Sequence, residues 1–218
     1  MIAAPIALAI TALLALVVYG HLTRPPDEWG WLEEYSVEQE TFTAKEAYTI
    51  VQPLIHEWNE DAVINSAGAG NLWSGLPEWT VRPDGRNAMW HFIACSETAG
   101  KWVSVMVVRG SVGLGVYDKP WGILDDGCSE RLPIEDLIDS NTAILTARCL
   151  AGGLEPTYAG IASFDQYSHQ AFPYSWHIDF APPQGGTLDV YIDGASGMPI
   201  HVVRDSNTTI PLDELPSC

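Results

Sequence analysis

Hydrophobic positions are densest near the N-terminus, where residues 2–19 run without one charged side chain. A helix over this run would rise about 1.5 Å per residue and span roughly 27 Å, close to the ~30 Å hydrocarbon thickness of a bilayer. The pattern therefore predicts a transmembrane anchor over residues 1–20. Its anchoring side chains are Ile2, Ile6, Leu8, Ile10, Leu13, Leu14, Leu16, Val17, Val18 and Tyr19.

Two other interpretations of this run stay open. Val18 and Gly20 are small enough for a signal-peptidase site, although a basic segment before the run is lacking and the run exceeds the usual 7–15-residue apolar core. A buried core helix is the third interpretation. Residues 21–42 carry Pro25-Pro26 and several acids, and are predicted to form a stiff stalk.

The remaining sequence alternates between helical and strand-like patterns. Thr43 and Glu46 form a capping box, and apolar residues at helical spacing follow as far as Trp58, which predicts a helix. Residues 65–75 are rich in small and polar residues and are predicted to be a loop. A second helix is predicted over residues 133–151. Strands are predicted at residues 79–82, 88–96, 101–108, 112–117, 158–164, 174–180, 188–193 and 199–204.

This order recurs along the chain. Trp90-His91 and Trp176-His177 lie 86 residues apart, and a predicted helix precedes each pair. The sequence thus predicts an α+β fold in which an N-terminal transmembrane helix is followed by two repeats of a helix packed on a curved antiparallel sheet. The repeats are expected at residues 43–127 and 128–206, with a tail at residues 207–218; a single α+β domain is the alternative.

One segment of the second repeat resembles a known family. Residues 188–200, LDVYIDGASGMPI, resemble the final hairpin of PepSY-type domains, in which a strand ends at an Asp, a short Gly-containing turn follows and a new strand begins. The order of helix and sheet is also similar to PepSY and cystatin-like folds. The first repeat departs from the motif, because Val107-Val108-Arg109-Gly110 has no Asp at the turn. The resemblance implies a non-catalytic extracytoplasmic module, linked in some relatives to protease inhibition.

Charge and cysteine content narrow the range of possible partners and the cellular compartment of the protein. The net charge of −18 would repel nucleic acids and anionic lipid headgroups, and it suits a basic protein partner, divalent cations or simply solubility. Four cysteines, without a CxxC motif or zinc spacing, favour disulfides in an oxidising compartment, with three possible pairings and free buried thiols as the alternative. The possible disulfide residues are Cys95, Cys128, Cys149 and Cys218.

No motif in the sequence assigns a catalytic, cofactor or metal site. A G-x-S-x-G motif is lacking, Ser168-His169 is a bare dipeptide, and none of the six histidines pair at metal-ligand spacing. His91 and His177 fall at equivalent places in the two predicted sheets and are interpreted as half-exposed spacers. Aromatic side chains in the stalk and loops could instead contact a partner. These are Trp29, Trp31, Trp73, Trp79 and Trp121.

The sequence therefore predicts a non-enzymatic accessory or interaction subunit. It would be anchored by one helix, with most of the chain periplasmic or extracellular, and its partners would be other membrane or periplasmic proteins of a larger assembly, such as a respiratory, photosynthetic or transport complex. No cofactor is expected. A stand-alone PepSY-like inhibitory or ligand-binding module and an unrecognised hydrolase are the two alternatives.

Overall fold

The structure is a computed structural model that describes residues 30–32, 38–70, 81–117, 128, 131–163, 172, 174–205 and 208–218. Two helices lie in these ranges, α1 (Ala44–Trp58) and α2 (Ser140–Leu150), together with a 3₁₀ turn at Leu212–Glu214. The strands are β1 (Gly30–Leu32), β2 (Val63–Gly70), β3 (Met89–Ser96), β4 (Lys101–Val108), β5 (Ser111–Tyr117), β6 (Pro156–Ala162), β7 (Ser175–Phe180), β8 (Leu188–Asp193), β9 (Pro199–Arg204) and β10 (Thr208–Thr209).

All ten strands form one antiparallel sheet in the order β1-β5-β4-β3-β2-β6-β7-β8-β9-β10. Side chains alternate between the two faces of a strand. One face carries the buried apolar residues, such as Phe92, Val105, Ile178 and Val190, and both helices pack against this face in one continuous core. The opposite side of the sheet is called the far face below.

Helix α1 begins and packs as its sequence predicts. Thr43 is the N-cap, its hydroxyl accepts from the Glu46 backbone N–H, and the Glu46 carboxylate accepts from the Thr43 backbone N–H. Val51, Leu54 and Ile55 are buried on the face that meets the sheet. The capping box satisfies helix-end donors that would otherwise lack partners.

Helix α2 is shorter than predicted, and its N-terminus is joined to that of α1. Asp139 is its N-cap and accepts through Oδ1 from the backbone N–H groups of both Ser140 and Lys45. The buried Ser140 hydroxyl accepts from the Ala44 N–H at 2.9 Å and donates to the Gly85 carbonyl at 2.9 Å. One Asp-Ser pair therefore positions both helices over the sheet.

The predicted loop at residues 65–75 is wrong over its first half, because Val63–Gly70 forms β2 in the middle of the sheet. β2 pairs with β3 on one side and with β6 on the other. Its small residues are typical of loops, but here they accommodate a neighbouring ring. A Cβ on Gly68 would lie 3.1 Å from the Tyr158 hydroxyl, and a Cβ on Gly160 would lie 2.1 Å from it.

Two tryptophans meet at the centre of the core. Trp90 and Trp176 are fully buried and pack edge to face with ring centroids 6.2 Å apart. Each indole N–H donates to the carbonyl of the residue just before a helix N-cap, Trp90 to Phe42 and Trp176 to Ile138. Equivalent contacts thus tie each helix to the strand beneath it.

The predicted fold class, an N-terminal transmembrane helix followed by two repeats of a helix packed on a curved antiparallel sheet, is wrong. A single ten-stranded sheet runs through the described residues, because β2 and β6 pair directly and so remove two strand edges from solvent. Within this part of the chain, no helix is long and apolar enough to cross a membrane. The predicted anchor falls on residues 1–20, outside the described residues. Residues 30–32 of the predicted stalk form β1 at the sheet edge.

Candidate functional site

A row of cross-strand neighbours crosses the far face from β3 to β9. The register places His91 beside Gly68, Gly68 beside Gly160, and Gly160 beside His177. The row continues from His177 to Tyr191 and then to His201. With strands about 4.8 Å apart, the three strand spacings between His91 and His177 amount to roughly 14 Å. The two histidines therefore share a face without meeting, and Tyr158 lies over the glycine pair between them.

The densest group of polar side chains is formed by His177, Asp179 and Asp189. His177 and Asp179 lie two residues apart on β7, so both point to the far face, and Asp189 is the partner of Asp179 on β8. The Nε2 atom of His177 lies 2.7 Å from Asp179 Oδ1 and 4.0 Å from Asp189 Oδ1. The three donor atoms all lie within 4.8 Å of one another. All three side chains are half-buried.

The contact between His177 and Asp179 is short, but its geometry is unusual for an ion pair. The 2.7 Å separation falls within ion-pair range, yet in the described part of the chain neither His177 Nε2 nor Asp179 Oδ1 makes a hydrogen bond of acceptable geometry, and both atoms are buried. A hydrogen bond needs an aligned N–H as well as a short distance, so the two atoms are in close contact without being hydrogen-bonded.

The two carboxylates influence each other. Burial raises the pKa of the Asp189 carboxyl above its ordinary value, and the negative charge of Asp179 raises it further, while His177 opposes the shift. Neither carboxylate forms an ion pair with a Lys or Arg in the described part of the chain. Within the described residues, the cluster therefore places two carboxylates side by side with an imidazole and without a Lys or Arg partner.

Aromatic rings pack around the His177 imidazole. The His177 ring stacks on Tyr191 with centroids 4.5 Å apart and an interplanar angle of 2°, and the edge of Tyr158 lies 6.0 Å away. Phe172 packs against both Tyr191 and His201, at 5.8 and 5.6 Å. His201 Nε2 is buried without a hydrogen-bond partner. These contacts fix the orientation of the His177 imidazole.

A second polar pair on the far face involves His91 and Ser104, whose Nε2 and Oγ atoms are in close contact. Burial lowers the pKa of His91 to about 4, so its imidazole is a weak base at neutral pH. Ser104 is only 3% exposed and lies inside a regular strand, unlike a nucleophile on a sharp turn. Among the described residues, no carboxylate orients the His91 ring. The pair fits a structural polar contact better than a hydrolytic one.

Some of the predicted site residues lie in the described part of the chain and others lie outside it. The anchor residues, Trp29, Trp73, Trp79 and Trp121 lie outside the described residues, as does the Trp31 side chain. The predicted disulfides are confirmed, and the structure pairs Cys95 with Cys128 and Cys149 with Cys218. No sequence motif singles out Asp179, Asp189 or His201. The alternation of polar and apolar residues on β7 and β8 was the available signal.

Comparisons with known proteins show a similarity of fold. No family model matches the chain, and no curated protein matches it significantly. It resembles the crystal structure of a putative lipoprotein from Clostridium difficile 630, with a TM-score of 0.52 and 12% sequence identity. The match covers 78% of this chain and 99% of the clostridial protein. At this identity the likeness concerns the fold alone.

Proposed function

We propose that the protein is an extracytoplasmic, non-catalytic accessory subunit that binds other membrane or extracytoplasmic proteins. The observation that carries this proposal is the presence of two disulfides. They join residues 33 and 69 positions apart, with Cα atoms 5.6 and 6.0 Å apart, as in ordinary disulfides. Disulfides persist in secreted and periplasmic proteins, whereas the cytosol keeps thiols reduced.

Two further features support this setting. The clostridial protein of similar fold is described as a putative lipoprotein, and lipoproteins are held at a membrane by lipid. In the present chain, the apolar run at residues 2–19 would supply the membrane attachment. The attachment is part of the proposal and not of the described fold.

The kind of partner follows from charge. With a net charge of −18, the surface would attract a protein with a basic face and repel anionic lipid and nucleic acid. Exposed charge pairs chiefly accelerate association and are screened by salt. Binding carried by this surface should therefore weaken as the salt concentration increases.

The two alternatives from sequence are less well supported. The PepSY-like inhibitor required a groove between two sheets, but β2 and β6 are hydrogen-bonded neighbours in one sheet. The hydrolase required His, Ser or acid side chains converging within about 3 Å of one another in a pocket. The Ser104–His91 pair lacks an orienting carboxylate within the described ranges, and its serine is buried.

The test is capture of the full chain from its native membranes after mild cross-linking, followed by mass spectrometry of the captured proteins. We expect a reproducible set of membrane or extracytoplasmic proteins, released when the salt concentration is increased before cross-linking. The same preparation without the tagged chain is the control. A monomer without captured partners would contradict the accessory role, and capture of cytosolic proteins alone would contradict the compartment.

A further inference from the structure

We propose that His177, Asp179 and Asp189 bind a divalent transition-metal ion of the zinc class on the far face of the sheet. This inference goes beyond the accessory role and does not depend on it. Its basis is the convergence of one imidazole nitrogen and two carboxylate oxygens from neighbouring strands.

The separations of the donor atoms are close to those found around a shared ion. Ligand atoms that lie 2.0–2.2 Å from one metal ion are about 2.8 to 4.4 Å apart, depending on the angle between them. His177 Nε2 lies 2.7 Å from Asp179 Oδ1 and 4.0 Å from Asp189 Oδ1. Small side-chain rotations would bring all three atoms to coordination distance.

The buried atoms without hydrogen bonds are a second, independent observation. Both His177 Nε2 and Asp179 Oδ1 are buried, and neither has a hydrogen bond of acceptable geometry within the described ranges. Buried polar atoms normally have partners, and leaving one without a partner destabilises the fold. A cation bound between the two atoms would satisfy both at once.

The chemical types of the three ligands favour one class of metal ion. Carboxylate and water ligands alone suit magnesium and calcium, whereas an imidazole ligand favours zinc, iron, nickel or copper. Two adjacent carboxylates without a Lys or Arg partner in the described residues would balance the charge of a dication. Three protein ligands leave further positions for water or for a group on a partner protein.

The surroundings orient the imidazole for this role. Tyr191 stacks against the His177 ring and the Tyr158 edge approaches it, so that rotation of the ring is restricted. Strand pairing holds Asp179 and Asp189 side by side. All three ligands thus come from regular strands, which hold their positions better than loops do.

The experiment titrates the full disulfide-bonded chain, purified without a polyhistidine tag and freed of metal, with Co²⁺ followed by visible absorption. Competition with Zn²⁺ and calorimetry then give the Zn²⁺ affinity, and Ca²⁺ is tested in parallel. We expect one equivalent of Co²⁺ to bind with visible d–d bands, Zn²⁺ to displace it, and Ca²⁺ to bind more weakly. Preference for Ca²⁺ over Zn²⁺ would overturn the assignment.

Variants locate the ion. His177→Ala, Asp179→Asn and Asp189→Asn should each weaken Zn²⁺ binding at least about 10-fold. His56→Ala and Asp136→Asn are matched controls, because they remove an exposed histidine and an exposed aspartate elsewhere and should leave the affinity unchanged.

A failure to bind can be separated from a failure to fold. Asp189→Asn has nearly the same shape and removes one of two adjacent negative charges, so it should fold without metal, as circular dichroism will show. Absence of a bound ion in the folded wild type would overturn the proposal, and so would equal affinity in all five variants. Either result would leave the proposed compartment and partner binding unaffected.

Discussion

Substitution of Ser140 by alanine tests whether a single buried hydroxyl joins the two helices. The Ser140 side chain is fully buried, accepts from the Ala44 N–H and donates to the Gly85 carbonyl, at 2.9 Å in each case. The Ala44 N–H is in the first turn of α1, where the helix itself supplies no acceptor. Ser140→Ala therefore leaves one donor and one acceptor without partners in the interior.

The magnitude follows from these two groups. Each buried polar group that loses its partner costs about 1–3 kcal/mol, so the two groups together should lower the free energy of unfolding by roughly 2–6 kcal/mol. In a chain of this size, 1 kcal/mol lowers Tm by about 2–4 °C, so Tm should decrease by roughly 4–24 °C.

Urea unfolding, monitored by tryptophan fluorescence with the disulfides intact, measures the change. Thr146→Ala is the control, because Thr146 is half-buried on the same helix and its hydroxyl donates to the Thr142 carbonyl of that helix. The control should change the free energy by less than about 0.5 kcal/mol. If Ser140→Ala were no more destabilising than the control, the hydroxyl would not join the helices as described.

Three other variants have defined outcomes. The Cys149→Ser/Cys218→Ser double variant opens a loop of 69 residues. It should lower the free energy of unfolding, measured by urea unfolding, by up to about 4 kcal/mol. An unchanged free energy would show that the disulfide does not constrain the unfolded chain. Burial lowers the pKa of His91 to about 4, so as the pH falls its imidazole is protonated in the unfolded chain before it is protonated in the folded chain. The free energy of unfolding should therefore decrease between about pH 6.5 and pH 4, by at most about 3 kcal/mol. The His91→Gln variant should lack this part of the stability–pH profile, and an unchanged profile would refute the assignment. Gly194→Ala would place a Cβ 2.1 Å from the Tyr174 carbonyl oxygen, and should lower Tm by several degrees in a thermal melt, whereas an unchanged Tm would show that the turn can move.

The sequence predicts the individual elements better than their assembly. The Thr43 capping box and the apolar spacing that follows it predict α1, and the run of valine and aromatic residues in KWVSVMVV predicts β4 with its observed ends. β2 was missed because its Asn, Ser, Ala and Gly residues resemble a loop. Its place in the sheet depends on Tyr158, far along the chain, packing over Gly68 and Gly160. Direct pairing of β2 with β6 could not be inferred from either half alone.

The candidate site, like the fold, can be predicted only in part from the sequence. Alternation along β7 places His177 and Asp179 on one face, and this part can be read from sequence. The position of Asp189 beside Asp179 depends on the register between β7 and β8, and a shift of one residue would turn Asp189 to the other face. The seven-residue connection at residues 181–187 does not fix that register by its turn type. The cluster therefore becomes visible only in the folded sheet.

The most direct test of the extracytoplasmic assignment is the state of the four cysteines in the native cell. Acid quenching followed by alkylation before and after reduction, with mass spectrometry of the peptides, would show which thiols are paired. The disulfides Cys95–Cys128 and Cys149–Cys218 predict that all four thiols become reactive only after reduction, with those two linked peptide pairs. Four cysteines alkylated without reduction would place the protein in a reducing compartment and contradict the proposed function.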